Sequence, residues 1–390
     1  MKTTIAAVAA LMLSLAACGG SDSGSGSDSS GSIKIMQIAA YESQSTSLPF
    51  MKTAAQAAVD EVNAAGGIGG RKIELLTCND KYDPNESLRC AQKAVQEDVV
   101  AVVGSLTGFG AQVLPILEQA KIPSIGADAI TAYDAQSPMS FLLDAGVPGY
   151  AAMPAVAKKN LGATKIITMH IENPSAETNQ DFFKEGSELA GTEIVDNITV
   201  PLDTIDYTQY VAKAEAAGAE AIVSSMSNDS NLKLWKALGS TKSDLKVVVS
   251  IGSVSPELIK QTNGAADGSY VISGTPYADP SNETGKAFLD AMKKYQPEET
   301  VFAGVSVRAY AAVKLFADVA GTIEGDVDSA SVLEAFQQVK DKKFLWIDSL
   351  SFDKDGPIKS LPRVVASVTF PSVVKDGAFV PEEPFDPFVS

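Results

Sequence analysis

The chain has 390 residues, 45% of them apolar, and sets 48 acidic side chains against 31 basic ones for a net charge of -17. That balance excludes nucleic acid as a partner, because phosphate contacts need clustered Lys and Arg; it suits an exported soluble protein, and bears on solubility rather than fold. The length exceeds what one hydrophobic core comfortably fills and points to two lobes.

Residues 1–17 read as an export signal, with Lys2 as the positive start and Ile5 to Ala17 apolar apart from Ser14. The run is shorter than the about 20 residues that a membrane-spanning helix needs. Leu15, Ala16, Ala17 and Cys18, followed by Gly19, resemble the lipobox of bacterial lipoproteins. That resemblance implies cleavage before Cys18 and a diacylglycerol on its sulfur. Residues 18–32, almost entirely Gly, Ser and Asp after the cysteine, read as a flexible tether with nothing to bury.

The body of the chain repeats one unit, a strand followed by a helix. Strand-like runs fall at 33–39, 72–77, 99–103 and 122–126, then at 165–171, 194–200, 219–225, 246–251 and 269–273. Strands alternating with helices predict parallel sheets covered on both faces, and two series predict two doubly wound α/β lobes. Amphipathic stretches at 284–295, 303–320 and 329–340 follow, and then a β-rich end from 350 to 380. The glycines in NAAGGIGGRKIELL (63–76) come after a helix and before a strand. They read as a helix stop and tight turn, since a phosphate loop needs the reverse order. Cys78 ends a strand, and Cys90 lies in a helix opened by Asp83 as N-cap, Pro84 and Glu86. In an oxidising compartment the pair reads as a disulfide, with two buried free thiols as the alternative.

Ligands of open parallel sheets sit beyond the carboxyl ends of the strands. The stretch VVGSLTGFGAQVLPIL (102–117) has a strand, a glycine-containing loop and then a helix starting near Gly110, so its backbone amides and the hydroxyls of Ser105 and Thr107 could hold an acceptor. No Gly-Lys-Ser/Thr follows, so no nucleotide is expected, and no cofactor of any other kind is either. The chain reads as no enzyme. Its one histidine, His170, ends an apolar strand, no Gly-x-Ser-x-Gly or His-Glu-x-x-His occurs, and the cysteines lack metal spacing. Arg308, inside VSVRAYAAV, places a charge on an apolar helix face, where it serves either a ligand carboxylate or an ion pair across the hinge.

The lipobox, NAAGGIGGRKIELL, NDKYDPNESLRCAQKAV, VVAVVGSLTG and AKIPSIGADA, in this order, resemble the type I periplasmic binding proteins of the leucine/isoleucine/valine group. GVPGYAAMPAVAKKNLGATKIITMH, DYTQYVAKAEAAGAEAIV, SPELI, GSYVISGTPY and SFDKDG extend the resemblance over nearly all of the mature chain. It implies two α/β lobes joined by three hinge crossings, near 141–149, 274–280 and 346–352. Lobe 1 would comprise 33–145 plus 278–348, and lobe 2 146–277 plus 349–390. The lobes would close on a small solute and deliver it to the membrane subunits of an ABC importer.

Carried onto this chain, the resemblance sets the ligand between Tyr41, Ser47, Ser105, Leu106, Thr107, Gly108, Phe109, Ala127, Asp128 and Ala129 of the first lobe and Glu172, Ser175, Met226, Ser227, Asn228, Gly252 and Ser253 of the second. Gly108 stands where leucine-binding members carry a hydroxyl and Ile251 where they carry an acid, while Ser47, Ser175 and Ser227 fall where tyrosines are common. A buried ammonium without an anionic partner is costly, so leucine and its relatives are expected to bind weakly unless Asp128, Glu172 or Asp229 replaces the missing acid. The chain is expected to be a monomeric solute-binding lipoprotein, outside the cytoplasm and held to the membrane only by its lipid. The alternative is a sensor that presents its bound solute to a membrane receptor.

Overall fold

The computed structural model describes residues 31–43, 47–172 and 176–388. The export signal, Cys18, most of the tether and Ser175 lie outside them. The first lobe opens with β1 (Ile33–Ala39), α1 (Pro49–Ala64), β2 (Ile73–Asn79), α2 (Pro84–Gln96), β3 (Ala101–Val103), α3 (Gly110–Ala120), β4 (Ser124–Ile125) and β5 (Ser140–Phe141). After a 3-10 turn at Val147–Ala152, the second lobe holds α4 (Met153–Leu161), β6 (Lys165–Ile171), α5 (Ala176–Ala190), β7 (Glu193–Val200), α6 (Thr208–Ala216), β8 (Ala221–Ser224), α7 (Asn228–Thr241), β9 (Lys246–Ser250), α8 (Pro256–Lys260) and β10 (Tyr270–Ser273). The chain then returns through α9 (Glu283–Tyr295), α10 (Gly304–Ala320), α11 (Ser329–Gln337) and the hairpin of β11 (Lys342–Phe344) and β12 (Ile347–Leu350), and ends in β13 (Phe370–Lys375) and β14 (Ala378–Pro381).

The first sheet has the order β2-β1-β3-β4-β5 and is parallel throughout. The second runs β14-β13-β10-β9-β8-β6-β7, parallel from β10 to β7 and antiparallel where β13 and β14 close its edge. Strands buried on both faces read as continuous apolar runs rather than alternations, and β1 and β6 do so: Ile33, Ile35, Met36 and Ile38, like Ile166, Ile167 and Met169, are fully buried.

Local chemistry sets the ends of the elements. Asp83 caps α2 by accepting from the backbone N–H groups of Asn85 and Glu86. The glycine cluster after α1 is a turn: Gly66 and Gly67 have φ of +111° and +71°, and a Cβ on Gly67 would stand 2.0 Å from the Arg71 carbonyl oxygen. Cys78 in β2 and Cys90 in α2 are disulfide-bonded with Cα atoms 5.6 Å apart. By loop-closure entropy so short a link contributes about 2–3 kcal/mol.

The expectation of a β-rich end and a third crossing near 346–352 needs correction. Leu350, Phe352 and Ala366 still pack in the first lobe's core, and the chain enters the second sheet only at Phe370. The boundary drawn at 348/349 therefore moves to about 366–370. Residues 351–369 form no strand, and Pro357 and Pro362 within them carry no N–H for a ladder. Their apolar residues Ile358, Leu361 and Val364 pack instead with Ala129 and Leu142 of the first lobe and Phe182 of α5.

Candidate functional site

The strands that line up in each sheet point their carboxyl ends toward the other lobe, and the cleft between them holds a cavity of about 430 Å³ on the hinge side. Asp128 and Ile130, after β4, come from the first lobe, with Arg308 and the start of α10. Ser250 to Ser253, after β9, come from the second, and the three crossings add Asp144 to Gly146, Ser273 to Thr275 and Ser367 to Thr369, with Tyr150 beside them.

Glycines bring the charged residue to this place. Gly104 and Gly126 end β3 and β4 with φ of +59° and +60°. A Cβ on Gly104 would lie 3.0 Å from the Ala309 Cα, and one on Gly126 2.5 Å from the Ala312 Cβ. Absent those side chains, α10 packs against the strand ends with its small face and carries Arg308 into the cleft.

Arg308 is only 4% exposed. Its Nη1 donates to Asp144 Oδ2 at 3.1 Å, and Nη2 lies 2.8 Å from Asp128 Oδ2. That second contact is an ion pair of hydrogen-bond length, and Nε has no hydrogen-bond partner. Asp144 Oδ1 accepts from the Gly146 N–H at 3.0 Å, which fixes the first crossing. Burial opposes the guanidinium charge, but the two carboxylates outweigh it and hold Arg308 above its ordinary value. Asp128 is pushed up by burial and by Asp144, against the pull of Arg308.

The residues nominated from sequence divide. Asp128, Gly252 and Ser253 line the cavity. In the loop after β3, Ser105 Oγ accepts from the Ile38 N–H at 2.9 Å, the Thr107 hydroxyl sits 3.2 Å from that of Ser87, and Leu106 is buried in the first core. Gly108 lies under Tyr82, whose Oη would stand 2.8 Å from a Cβ there, and Phe109 packs on the same ring with centroids 5.4 Å apart. Tyr41 donates to Gln37 Oε1, and Ser47 donates to the Tyr41 carbonyl. Ala127 is half-buried and Ala129 joins the apolar cluster at the hinge. In the second lobe Met226 is buried, Ser227 caps α7, and Asn228 and Glu172 are exposed. Asp229 is paired with Lys233 at 2.7 Å. His170 sits between Gln180 and Thr199, bonded through Nδ1 and Nε2, and burial lowers its pKa. Sequence reasoning passed over Asp144, Tyr150, Thr275 and Thr369, for which the only signal was short polar and glycine runs, such as DAG and SGT, at strand ends.

The first turn of α3, where a ligand acceptor was expected, already faces a carboxylate. A Cβ on Gly110 would stand 2.0 Å from Asp134 Oδ1, and Asp134 Oδ2 accepts from the Thr131 N–H and hydroxyl. Burial pushes Asp134 from 3.8 up to about 6, against the Thr131 hydrogen bonds. A carboxyl raised on folding favours the folded state below its unfolded value and loses that contribution as pH rises through the folded one. The loss is on the order of 3 kcal/mol. Stability of Asp134→Asn, followed by urea unfolding at a series of pH values, is therefore expected to lack a decline that the natural chain shows between about pH 4 and 6. Parallel curves would contradict this.

Residues 42–360 match the sequence profile described as "Periplasmic binding protein". Among curated proteins, the Leu/Ile/Val-binding protein homolog 3 of Brucella melitensis is 24% identical over 319 residues, spanning 80% of this chain and 84% of that one. The leucine-, isoleucine-, valine-, threonine- and alanine-binding protein of Brucella ovis, in its closed conformation, superposes with a TM-score of 0.73 at 16% identity, covering 92% of this chain and 96% of that one. The substrate binding protein LivJ of a Streptococcus pneumoniae branched-chain amino acid transporter, in complex with isoleucine, gives 0.66 at 22% identity over 90% and 98%. These relatives are solute-binding proteins and not enzymes, and the solved structures share this chain's two-lobed fold. With the profile spanning most of its length, the chain belongs to the periplasmic binding protein family.

Proposed function

We propose that this protein is the extracytoplasmic solute-binding lipoprotein of an ABC importer, capturing a small amino-acid-like, amide or carboxylate solute between its lobes. The observation that carries the reading is the cavity of about 430 Å³ to which both lobes and all three crossings contribute. A solute held there touches every segment that must move in hinge closure. Relatives named for Leu/Ile/Val binding support a solute of that size. Among the described residues no helix is long and apolar enough to cross a membrane; attachment through a lipid on Cys18 is supported by the lipobox-like Leu15 to Cys18. Mass spectrometry of the mature N-terminus is expected to find that cysteine diacylated; an unmodified start elsewhere would remove the lipoprotein part of the proposal.

A thermal-shift screen across amino acids, amides, aromatic acids and short-chain acids tests the binding itself. A solute at a hundredfold excess over its Kd stabilises the folded form by about 2.7 kcal/mol. That corresponds to a rise in Tm of a few degrees. At least one class is expected to give it, and a flat response across all of them would overturn the reading.

A further inference from the structure

We infer that the solute presents to Arg308 and Asp128 a neutral planar group carrying a hydrogen-bond acceptor and an N–H donor side by side, the chemistry of a carboxamide or a urea. The inference rests on the solute-binding reading above and narrows it.

The cluster at the cavity wall holds one guanidinium and two carboxylates, all inside the protein. Half of it is already satisfied: Asp144 takes Nη1 of Arg308 on one oxygen and the Gly146 N–H on the other. Nη2 of Arg308 already lies 2.8 Å from Asp128 Oδ2, while Nε remains buried without an acceptor, and an unmet donor on a buried cation is among the more costly omissions in a protein interior. The Asp128 carboxylate stands beside them on the same cavity wall, 12% exposed.

Three kinds of solute group can be weighed against this wall. An ammonium brings donors only, so it offsets the cluster's net negative charge at Asp128 but leaves Nε of Arg308 unmet. A carboxylate supplies acceptors but becomes a third anion near Asp128 and Asp144, and like charges at close range in a weakly polar site repel strongly. A carboxamide supplies a carbonyl to Arg308 and an N–H to Asp128 with no new charge. A free α-amino acid also offers both, at the expense of desolvating two full charges. The remaining polar lining consists of hydroxyls, and those of Ser273, Ser367 and Thr369 are engaged by Thr275, Asp386 and the Ser367 carbonyl.

A carboxylate could still enter if Asp128 took up a proton and donated to it. Three charged groups act on Asp128 and set that titration: Arg308 of α10, Asp144 of the first crossing and Asp134 of the following loop. Its carboxyl is raised mainly by burial, so carboxylate affinity should climb as pH falls, with about tenfold gained per pH unit while one proton is taken up. Amide affinity should not change.

The test compares four compounds with one branched skeleton, isovaleramide, isovalerate, isoamylamine and leucine, by calorimetric titration. At pH 8 isovaleramide is expected to bind at least about tenfold tighter than isovalerate, the scale of one like-charge contact in a partly buried site. The gap to isovalerate should narrow on acidification. Asp128→Asn leaves an acceptor and a donor at that position and makes the cluster neutral. It is expected to raise isovalerate binding about tenfold at pH 8 and to leave isovaleramide within about threefold. Should the variant fail to fold, the comparison of isovaleramide with isovalerate on the natural chain at pH 8 decides alone. Equal binding of isovalerate and isovaleramide at pH 8 would overturn the inference, as would leucine binding that collapses in Asp128→Asn while isovaleramide never binds. If all four compounds fail but the wider screen finds a solute, this inference falls and the binding function stands; if both come up empty, both fall.

Discussion

Replacing Arg308 with methionine is expected to destabilise the protein by about 3–5 kcal/mol, the cost of leaving buried carboxylates without their partner. Asp144 is 2% exposed and Asp128 lies against it, so neither has water enough to carry its charge alone. Methionine keeps most of the side-chain volume on α10, so the loss measures the charge and not a cavity. The three-charge cluster need not be a net source of stability, because a well-packed apolar replacement of a whole buried ion cluster is often neutral. For that reason Arg308→Met combined with Asp144→Asn should recover part of the loss, and the coupling between the two should exceed about 1 kcal/mol in a double-mutant cycle. Urea unfolding gives both values. A single variant that unfolds within about 0.5 kcal/mol of the natural chain, the range of ordinary surface changes, would show that the cluster is solvated.

Gly146→Ala should be nearly as damaging and for a different cause. Gly146 has φ of +56°, and a Cβ there would stand 2.3 Å from the Ala129 carbonyl oxygen and 2.8 Å from its nitrogen. With ψ of -141° this backbone lies in a region that glycine enters and alanine does not, which alone costs an alanine about 1–3 kcal/mol. Forcing backbone apart in a packed site adds about 1–3 kcal/mol. The displaced segment is the first crossing, fixed by the Gly146 N–H to Asp144 bond, so solute affinity should fall along with the unfolding midpoint. Gly149→Ala is the control for the unfolding midpoint only, since its Cβ would meet nothing closer than the Ala145 Cβ at 3.6 Å but the residue lines the cavity. Equal midpoints of the two variants would mean that the crossing tolerates a shift.

How much of this was legible beforehand varied with the kind of order involved. β1 and β6 could be read to the residue, because apolar side chains dominate both faces of a doubly covered strand even where Gln37, Thr168 and His170 interrupt them, and α2 announced its start through Asp83 and Pro84. The crossing at 351–369 misled, since its apolar residues serve a cluster between the lobes and follow no strand period. The hydroxyls of the loop after β3 looked available to a ligand, yet Ser105 Oγ answers the Ile38 N–H. A strand-end loop must satisfy its own backbone before it can serve a guest, and sequence cannot tell the two uses apart. Arg308 stood out as a charge on an apolar helix face, but its partners lie far back in the chain, at 128 and 144. Only the glycine-permitted approach of α10 to β3 and β4 brings them together.

The central claim is that a solute binds in the cavity between the lobes, and Gly252→Trp tests it most directly. Gly252 lines the cavity from the second lobe, and a Cβ there would meet only the Ser250 Oγ, at 3.9 Å. The position therefore accepts a side chain at the cavity rim without a backbone clash, and an indole is expected to take up part of the solute's space. Calorimetric titration with the solute that gives the largest thermal shift on the natural chain should show affinity reduced by about a hundredfold or more, near 2.7 kcal/mol, at an unchanged unfolding midpoint. Undiminished affinity in a folded Gly252→Trp protein would place the solute elsewhere and contradict the account.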